Sequence, residues 1–453
     1  MEKLTRAIAE FAATVDANAI PERCRYGARI GMLDCVGVMI AGAREPAPRL
    51  VAATVAASGA NDGAPEIPSG RNLAAGDAAL VNGTAAHVLD YDDVGMDGHT
   101  SAVLTSAILA EGWSLGSSGQ EALAAYVIGY ETWALLLELE PGRMHERGFH
   151  PTAIWGTPAC AAACARLNGL DAAQTTNAIA IAASLASGVV ANFGSMTKSL
   201  HVGRTAQAGV LAARLAKAGF TGSPDALEHP AGFMRAHSPS GHPNLAEADW
   251  QLGKTWRMAE LGVNIKRYPM CYATHRSIDA MLDLVAEHDL KPDKVDTINV
   301  RIGDAQQLML RNHDPATALE AKFSMEFAMA AALVERRVSL KELDDDFVCR
   351  PDVKETMRKI HVTTTEEKMA DMPFAPDDRV SVSLKAGETL VHEPVARPKG
   401  SWQKPLQERE LRDKFIDCAA AGLSAEHAEN LFERMTALET MRNLRELPLV
   451  AGA

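Results

Sequence analysis

The chain lacks an excess of positive charge: its 453 residues carry 45 Lys and Arg against 58 Asp and Glu, a net charge of −13. That excludes a general basic field for nucleic acid or an anionic membrane surface, so an anionic ligand has to be met by cations gathered locally. Cysteine is sparse too. Cys24, Cys35, Cys160, Cys164, Cys271, Cys349 and Cys418 are odd in number and form no CxxC pair, which speaks against a disulfide framework and suits a reducing cytoplasm. The first twenty residues, MEKLTRAIAEFAATVDANAI, mix charges with apolar residues and show neither the apolar core nor the cleavage site of an export signal. The most apolar stretch, Asn177 to Phe193, lies at the lower edge of what spans a bilayer, roughly 17 residues, and its Ala, Ser and Gly favour a helix packed inside a protein over a membrane span. The expectation is a cytoplasmic protein without nucleic-acid or membrane partners. Aromatics make up only 5%, yet 47% hydrophobic and 23% charged residues describe a chain long enough for two domains and a sizeable core.

Several familiar signatures are missing as well. Gly253-Lys254-Thr255 has no upstream glycine at P-loop spacing, and no G-x-G-x-x-G opens a helix after a strand. His145 and His150 are five residues apart, which on a helix would turn them about 140° from each other, so a zinc-protease pair is excluded. Cys160 and Cys164 share a helical face but sit in CAAAC, a small-residue packing pattern. There is no G-x-S-x-G elbow.

What is present divides into two textures. Up to Leu261, apolar residues recur at helical spacing: Ile8, Phe11 and Ala12 form one stripe, and Ala28, Ile30, Leu33, Val36 and Ile40 another that stops at Gly42. Ser58 to Asn72 interrupts the helices with turn-forming residues, and Gly169 followed by Asp171 marks a hairpin of small-residue helices, Thr157 to Leu167 and Ala172 to Val189. After Leu261, TINVRI (297–302), KIHVTT (359–364), RVSVSL (379–384) and TLVHEP alternate apolar and polar residues as half-buried strands do. Helices around Ser277 to His288 and Met325 to Val334 would cover one face of them. From Leu406 the charged helical texture returns. The expected fold is mainly α: a large all-helical domain, residues 1–261 with 401–453, and a smaller α+β domain, residues 262–400, with a short antiparallel sheet.

Four segments carry chemistry. Asn82 to Thr100, NGTAAHVLDYDDVGMDGHT, crowds His87, Asp90, Asp92, Asp93, Asp97 and His99 where a helix runs into a loop; such carboxylates repel unless they accept hydrogen bonds, pair with cations or share protons. Gly148 to Gly156, GFHPTAIWG, puts His150 before a proline, where helix is disfavoured. In Gly194 to Gly203, GSMTKSLHVG, Lys198 and His201 lie ahead of a helix carrying Arg204 and suggest an anion cradle. Lys266 to Arg276, KRYPMCYATHR, adds Lys266, Arg267, His275 and Arg276 around a proline-fixed turn, interleaved with Tyr268, Cys271 and Tyr272.

With LDCVGVMIAG before them and GFTGSPDALEHPAGF between, these segments in this order resemble the MmgE/PrpD family, which includes 2-methylcitrate dehydratase, cis-aconitate decarboxylase and iminodisuccinate epimerase. The resemblance covers nearly the whole chain. It implies a homodimer with a helical domain holding the termini and a smaller α+β domain inserted late. It also implies a site of Asp90, His99, His150, Lys198 and Lys266, with His201, Arg204, Arg267, Cys271 and His275 as substrate-binding residues. Cys271 and Phe327 stand where the decarboxylase branch has histidine and tyrosine, a departure that argues against cis-aconitate decarboxylase itself.

The family's reactions share proton transfer at a carbon next to a carboxylate, which needs a positioned base and cations for the developing charge. Lys198, Lys266 and Arg267 would hold a small anionic di- or tricarboxylate. His99 or His150 would move the proton, with Asp90 orienting an imidazole or acting as base. No metal or organic cofactor is required, and no ligand set for one is evident in the sequence. A 2-methylcitrate dehydratase-like hydro-lyase comes first, an epimerase of an iminodisuccinate-like substrate second, and a non-catalytic binding member third.

Overall fold

In a computed structural model, residues 3–55, 63–246, 250–369 and 374–450 are described. The chain forms two compact units, residues 1–263 with 408–453, and residues 264–407. Both boundaries lie a few residues beyond the positions where the sequence texture changes.

The first unit is built of helices whose ends follow local chemistry. Leu4–Thr14 buries the Ile8, Phe11 and Ala12 stripe, and Glu22–Gly42 ends at the expected glycine. Pro151 sits at the first position of Pro151–Leu167, where its missing N–H costs nothing, so this helix starts six residues before the expected Thr157. Gly169, at φ 65°, stops the chain, and Asp171 with Gln174 caps Ala172–Leu185 in a reciprocal box. That helix ends at Leu185, four residues before the expected Val189. Among the described residues no single helix is long and apolar enough to cross a membrane; Glu22–Gly42 and Pro46–Thr54 pass that test only as a pair bent by 85°. Part of the Ser58–Asn72 connection, residues 58–62, lies outside the described residues. Its later part forms a small antiparallel ladder, β1 (Ala64–Pro65) with β2 (Asn72–Leu73).

Small residues set the helix spacing that builds the site. A Cβ on Gly83 in the helix Ala75–His87 would lie 2.8 Å from the Gly203 Cα of the helix Met196–Lys217. The two backbones are therefore in contact there, which places Lys198 and His201 beside the end of the first helix. The buried Cys160 fits the same economy, because a Cβ on Gly209 would meet it at 2.3 Å.

The second unit holds one four-stranded sheet in the order β4 (Ile360–Thr365), β3 (Val295–Gly303), β5 (Arg379–Leu384), β6 (Thr389–Val391). β5 and β6 form the expected hairpin, but β3 and β4 run parallel, so the sheet is mixed and not purely antiparallel. The intervening residues 304–359 supply the crossover that a parallel pair needs. Ile298, Val300 and Ile302 of β3, Val380 and Val382 of β5, and the helices His275–Glu287 and Met325–Val334 share one core.

Candidate active site

The helix Ala75–His87 ends on His87, and the chain then reverses through a loop with Asp90, Met96 and Asp97 at positive φ of 53°, 49° and 60°. Aspartate tolerates this left-handed conformation better than most residues. The reversal brings the His99 ring to 4.3 Å from His87, centroid to centroid. Asp92 lies buried between them. Its oxygens are 3.0 and 3.1 Å from His87 Nδ1, and one of them is 3.0 Å from His99 Nδ1, which also faces the Asp93 carbonyl oxygen at 2.9 Å. Both Nδ1 atoms meet only acceptors and therefore carry a hydrogen.

On the other side of His99, Asp90 Oδ1 is 3.9 Å from Nε2 and accepts from Lys198 Nζ at 2.7 Å. Asp90 is therefore the partner of Lys198, and the orienting of an imidazole expected of it falls to Asp92. Lys198 lies in the first turn of Met196–Lys217 and His201 one turn further on, both inside the helix and not ahead of it. His150, the residue before that proline helix begins, has its Nδ1 3.1 Å from His201 Nδ1. The Phe193 ring packs edge-on to His150 at 4.8 Å and lies 5.3 Å from Lys198 Nζ.

Burial decides the charges. It pushes His87 down to about 4 and, with the nearby His87, Lys198 and His99, holds His150 well below the usual imidazole range; His201 is lowered by burial as well. These three rings are neutral at neutral pH, so His201 is a hydrogen-bonding group and not the cation expected of it. Burial alone would raise Asp92, but the adjoining His87 and His99 keep it well below the carboxylate range and ionised. Asp93, fully buried beside Asp92 and Asp34, is pushed up to about 8 and is protonated at neutral pH, with Oδ1 accepting the Ser101 N–H at 3.0 Å. His87, Asp92 and His99 place ligand-type atoms within 4.8 Å of one another, a set that could hold a metal ion and that the sequence did not reveal. Hydrogen bonds to Asp92 and Asp93 account for the same geometry.

The remaining expected residues have the following settings. Arg204 faces solvent and donates to Gln207 at 2.5 Å, which removes it from the cluster. Lys266, Arg267, Cys271 and His275 belong to the second unit. Lys266 and Cys271 are buried there, and the Cys271 N–H donates to the Lys322 carbonyl at 2.9 Å. Arg267 is 3.9 Å from Asp279 and 5.6 Å over the Tyr268 ring. His275 Nε2 is 3.2 Å from the Met270 carbonyl, with the ring against Tyr268 and Tyr272. Arg276 forms a buried pair with Asp378 at 2.8 Å and is spent on holding the fold. Phe327 is a core side chain of that unit, 6.1 Å from Phe347, so its identity reports packing.

Two pieces of the cluster had no assigned role in the sequence reading. His87 and Asp92 were visible only as members of a crowded segment; the chain reversal at Asp90 is what pairs them. Lys414, from the helix Glu408–Ala419, bonds Asp34 at 2.6 Å and the Tyr91 carbonyl at 3.0 Å, and lies 4.0 Å over the Tyr91 ring. It pins the backbone between Asp90 and Asp92, and no local pattern announces it.

The chain is similar to known proteins along most of its length. Residues 6–246 match the MmgE/PrpD N-terminal domain and residues 268–440 the MmgE/PrpD C-terminal domain. The chain is 31% identical over 381 residues to cis-aconitate decarboxylase of Homo sapiens, covering 81% of this chain and 77% of the relative. It is 23% identical over 470 residues to cis-aconitate decarboxylase of Aspergillus terreus, covering 98% and 95%. With both family domains matched along the chain in the order its motifs suggested, the protein belongs to the MmgE/PrpD family.

Proposed function

We propose that the chain is a lyase that acts on a small di- or tricarboxylate by proton transfer at a carbon next to a carboxylate. The observation that carries this is the anchored His99, whose Nδ1 is fixed by Asp92 and Asp93 and whose Nε2 points toward the Asp90–Lys198 pair. Nε2 takes the proton, and the Lys198 ammonium stabilises the charge that builds on the substrate carboxylate. His150, neutral and bonded to His201, is placed to act as the second proton-transfer group.

Within that class, dehydration of a 2-methylcitrate-like hydroxy acid is the first reading. Eliminating water uses a base and an acid, and His99 and His150 provide two imidazoles. Decarboxylation of a cis-aconitate-like substrate is the second reading, supported by the activity named for the relatives. An epimerase of an iminodisuccinate-like substrate would use the same two groups on opposite faces of one carbon.

Incubation with 2-methylcitrate, citrate and cis-aconitate in D2O separates these. Formation of an alkene with loss of water supports the first, release of CO2 the second, and inversion with deuterium uptake the third. No turnover across the panel overturns the catalytic reading in favour of a binding member. A homodimer is also proposed: Met196, Leu200 and Leu211 are exposed along one side of the Met196–Lys217 helix. A solution mass of one chain would overturn that.

A further inference from the structure

Lys414 takes no part in the proton transfers above, yet it reaches the cluster from near the far end of the chain. Its helix, Glu408–Ala419, is seated closely on Glu22–Gly42: a Cβ on Gly37 would lie 2.9 Å from the Phe415 ring. Lys414 is buried there, with Nζ 2.6 Å from Asp34 Oδ1 and donating to the Tyr91 carbonyl at 3.0 Å. As an ion pair it is poorly completed. Asp34 Oδ2 is buried without a hydrogen-bond partner among the described residues, and burial raises Asp34 to about 6 even with Lys414 beside it. Two apolar side chains of similar size would fill the same space at less cost. What they could not supply is the bond to Tyr91.

Tyr91 is the single residue between Asp90 and Asp92. Asp90 holds a positive φ of 53°, a conformation that a residue with a side chain keeps only where its surroundings fix it. It accepts from Lys198 at 2.7 Å, while Asp92 meets His87 and His99. We propose that Lys414 is a positioning residue, holding the Tyr91 peptide so that Asp90 meets Lys198 on one side and Asp92 meets the two imidazoles on the other. The ammonium also lies 4.0 Å over the Tyr91 ring, so one group grips both the backbone and the side chain of this residue. Release of the peptide would let both carboxylates drift from their partners together, and a misplacement of about 1 Å costs about 10²-fold in rate. The effect on rate rests on the catalytic reading above; the effect on geometry does not.

The double variant Lys414→Met/Asp34→Asn tests it, because it removes the donor to Tyr91 without leaving a buried charge alone. In the wild type the His87 and His99 Nδ1–H protons, with Asp92 as acceptor, should resonate far downfield; in the double variant both should move upfield. In Asp34→Asn, which keeps the ammonium and its bond to Tyr91, they should stay. Unchanged signals in a folded double variant, or equal shifts in Asp34→Asn, overturn the proposal and leave Lys414 as the partner of Asp34 alone. If the double variant does not fold, a scalar coupling from the Lys414 ammonium to the Tyr91 carbonyl carbon of the wild type decides the matter, and its absence overturns the proposal. With substrate, kcat of the double variant should fall by about 10²-fold while KM moves much less. Shifted signals with unaltered kcat would leave the positioning standing and overturn His99 as the base. Shifted signals without turnover of any polycarboxylate by the wild type would leave it standing and overturn the catalytic reading instead.

Discussion

Asn82–Thr100 and Lys266–Arg276 look alike as sequence, each a short run of ionisable residues broken by glycine or proline. In the structure they differ in what their charges meet. In the first, Asp92 is shared by two imidazoles, Asp90 meets Lys198, and His99 is partly exposed. In the second, Arg276 is matched to Asp378, Arg267 lies by Asp279, and His275 is packed between tyrosines against a carbonyl. A charged motif becomes a reactive cluster when its groups hold one another in strained protonation states. It becomes scaffold where a group is matched by a partner from the core, as Arg276 is by Asp378. The −13 balance tells the same story, since Lys198 brings positive charge to the cluster while burial keeps the His87, His150 and His201 imidazoles neutral.

That contrast can be broken most sharply by His99→Ala or Asp92→Asn, each expected to lower kcat by about 10²- to 10⁴-fold with the fold intact; near-normal turnover in both would dissolve the distinction. Arg276→Met should do the opposite, destabilising the protein by about 3–5 kcal/mol because a buried, hydrogen-bonded Asp378 loses its cation. Denaturant midpoints check this, and a stable but inactive variant would move Arg276 from scaffold to site. Burial penalises both members of that pair, lowering Arg276 and raising Asp378 to about 6, so the double replacement Arg276→Met/Asp378→Leu should recover much of the loss.

A pH experiment sharpens the comparison further. Asp93 has a folded-state value raised to about 8 from 3.8, so the stability it lends is full at acidic pH and is lost as pH rises through that value. Asp93→Asn cannot ionise, and its stability relative to wild type should therefore climb with pH across the window; a constant gap would mean that Asp93 is ionised throughout. The smallest effect is expected of Arg204→Ala, less than about 0.5 kcal/mol in stability with turnover retained, since Arg204 faces solvent. Loss of turnover there would return Arg204 to the site.

Much of the molecule was legible because its signals are local. Gly169, Asp171 with Gln174, Pro151 and the Ile8–Phe11–Ala12 stripe set helix ends and buried faces from neighbouring residues alone. The candidate segments, too, are contiguous. Strand direction was less accessible, because parallel and antiparallel strands share a two-residue alternation; the pairing of Val300 with both Val362 and Val380 is settled across the sheet.

The sequence by itself determined the fold class, the family and which stretches hold ionisable groups, since those depend on periodicity, capping and residue order. Tertiary structure decided which groups meet and in what protonation state. Asp92 rather than Asp90 anchors His99, Lys414 reaches Tyr91 across more than three hundred residues, and Arg204 turns to solvent. Hydrogen-bond partners and burial set those outcomes, and both depend on distances between residues that the chain brings together only when folded.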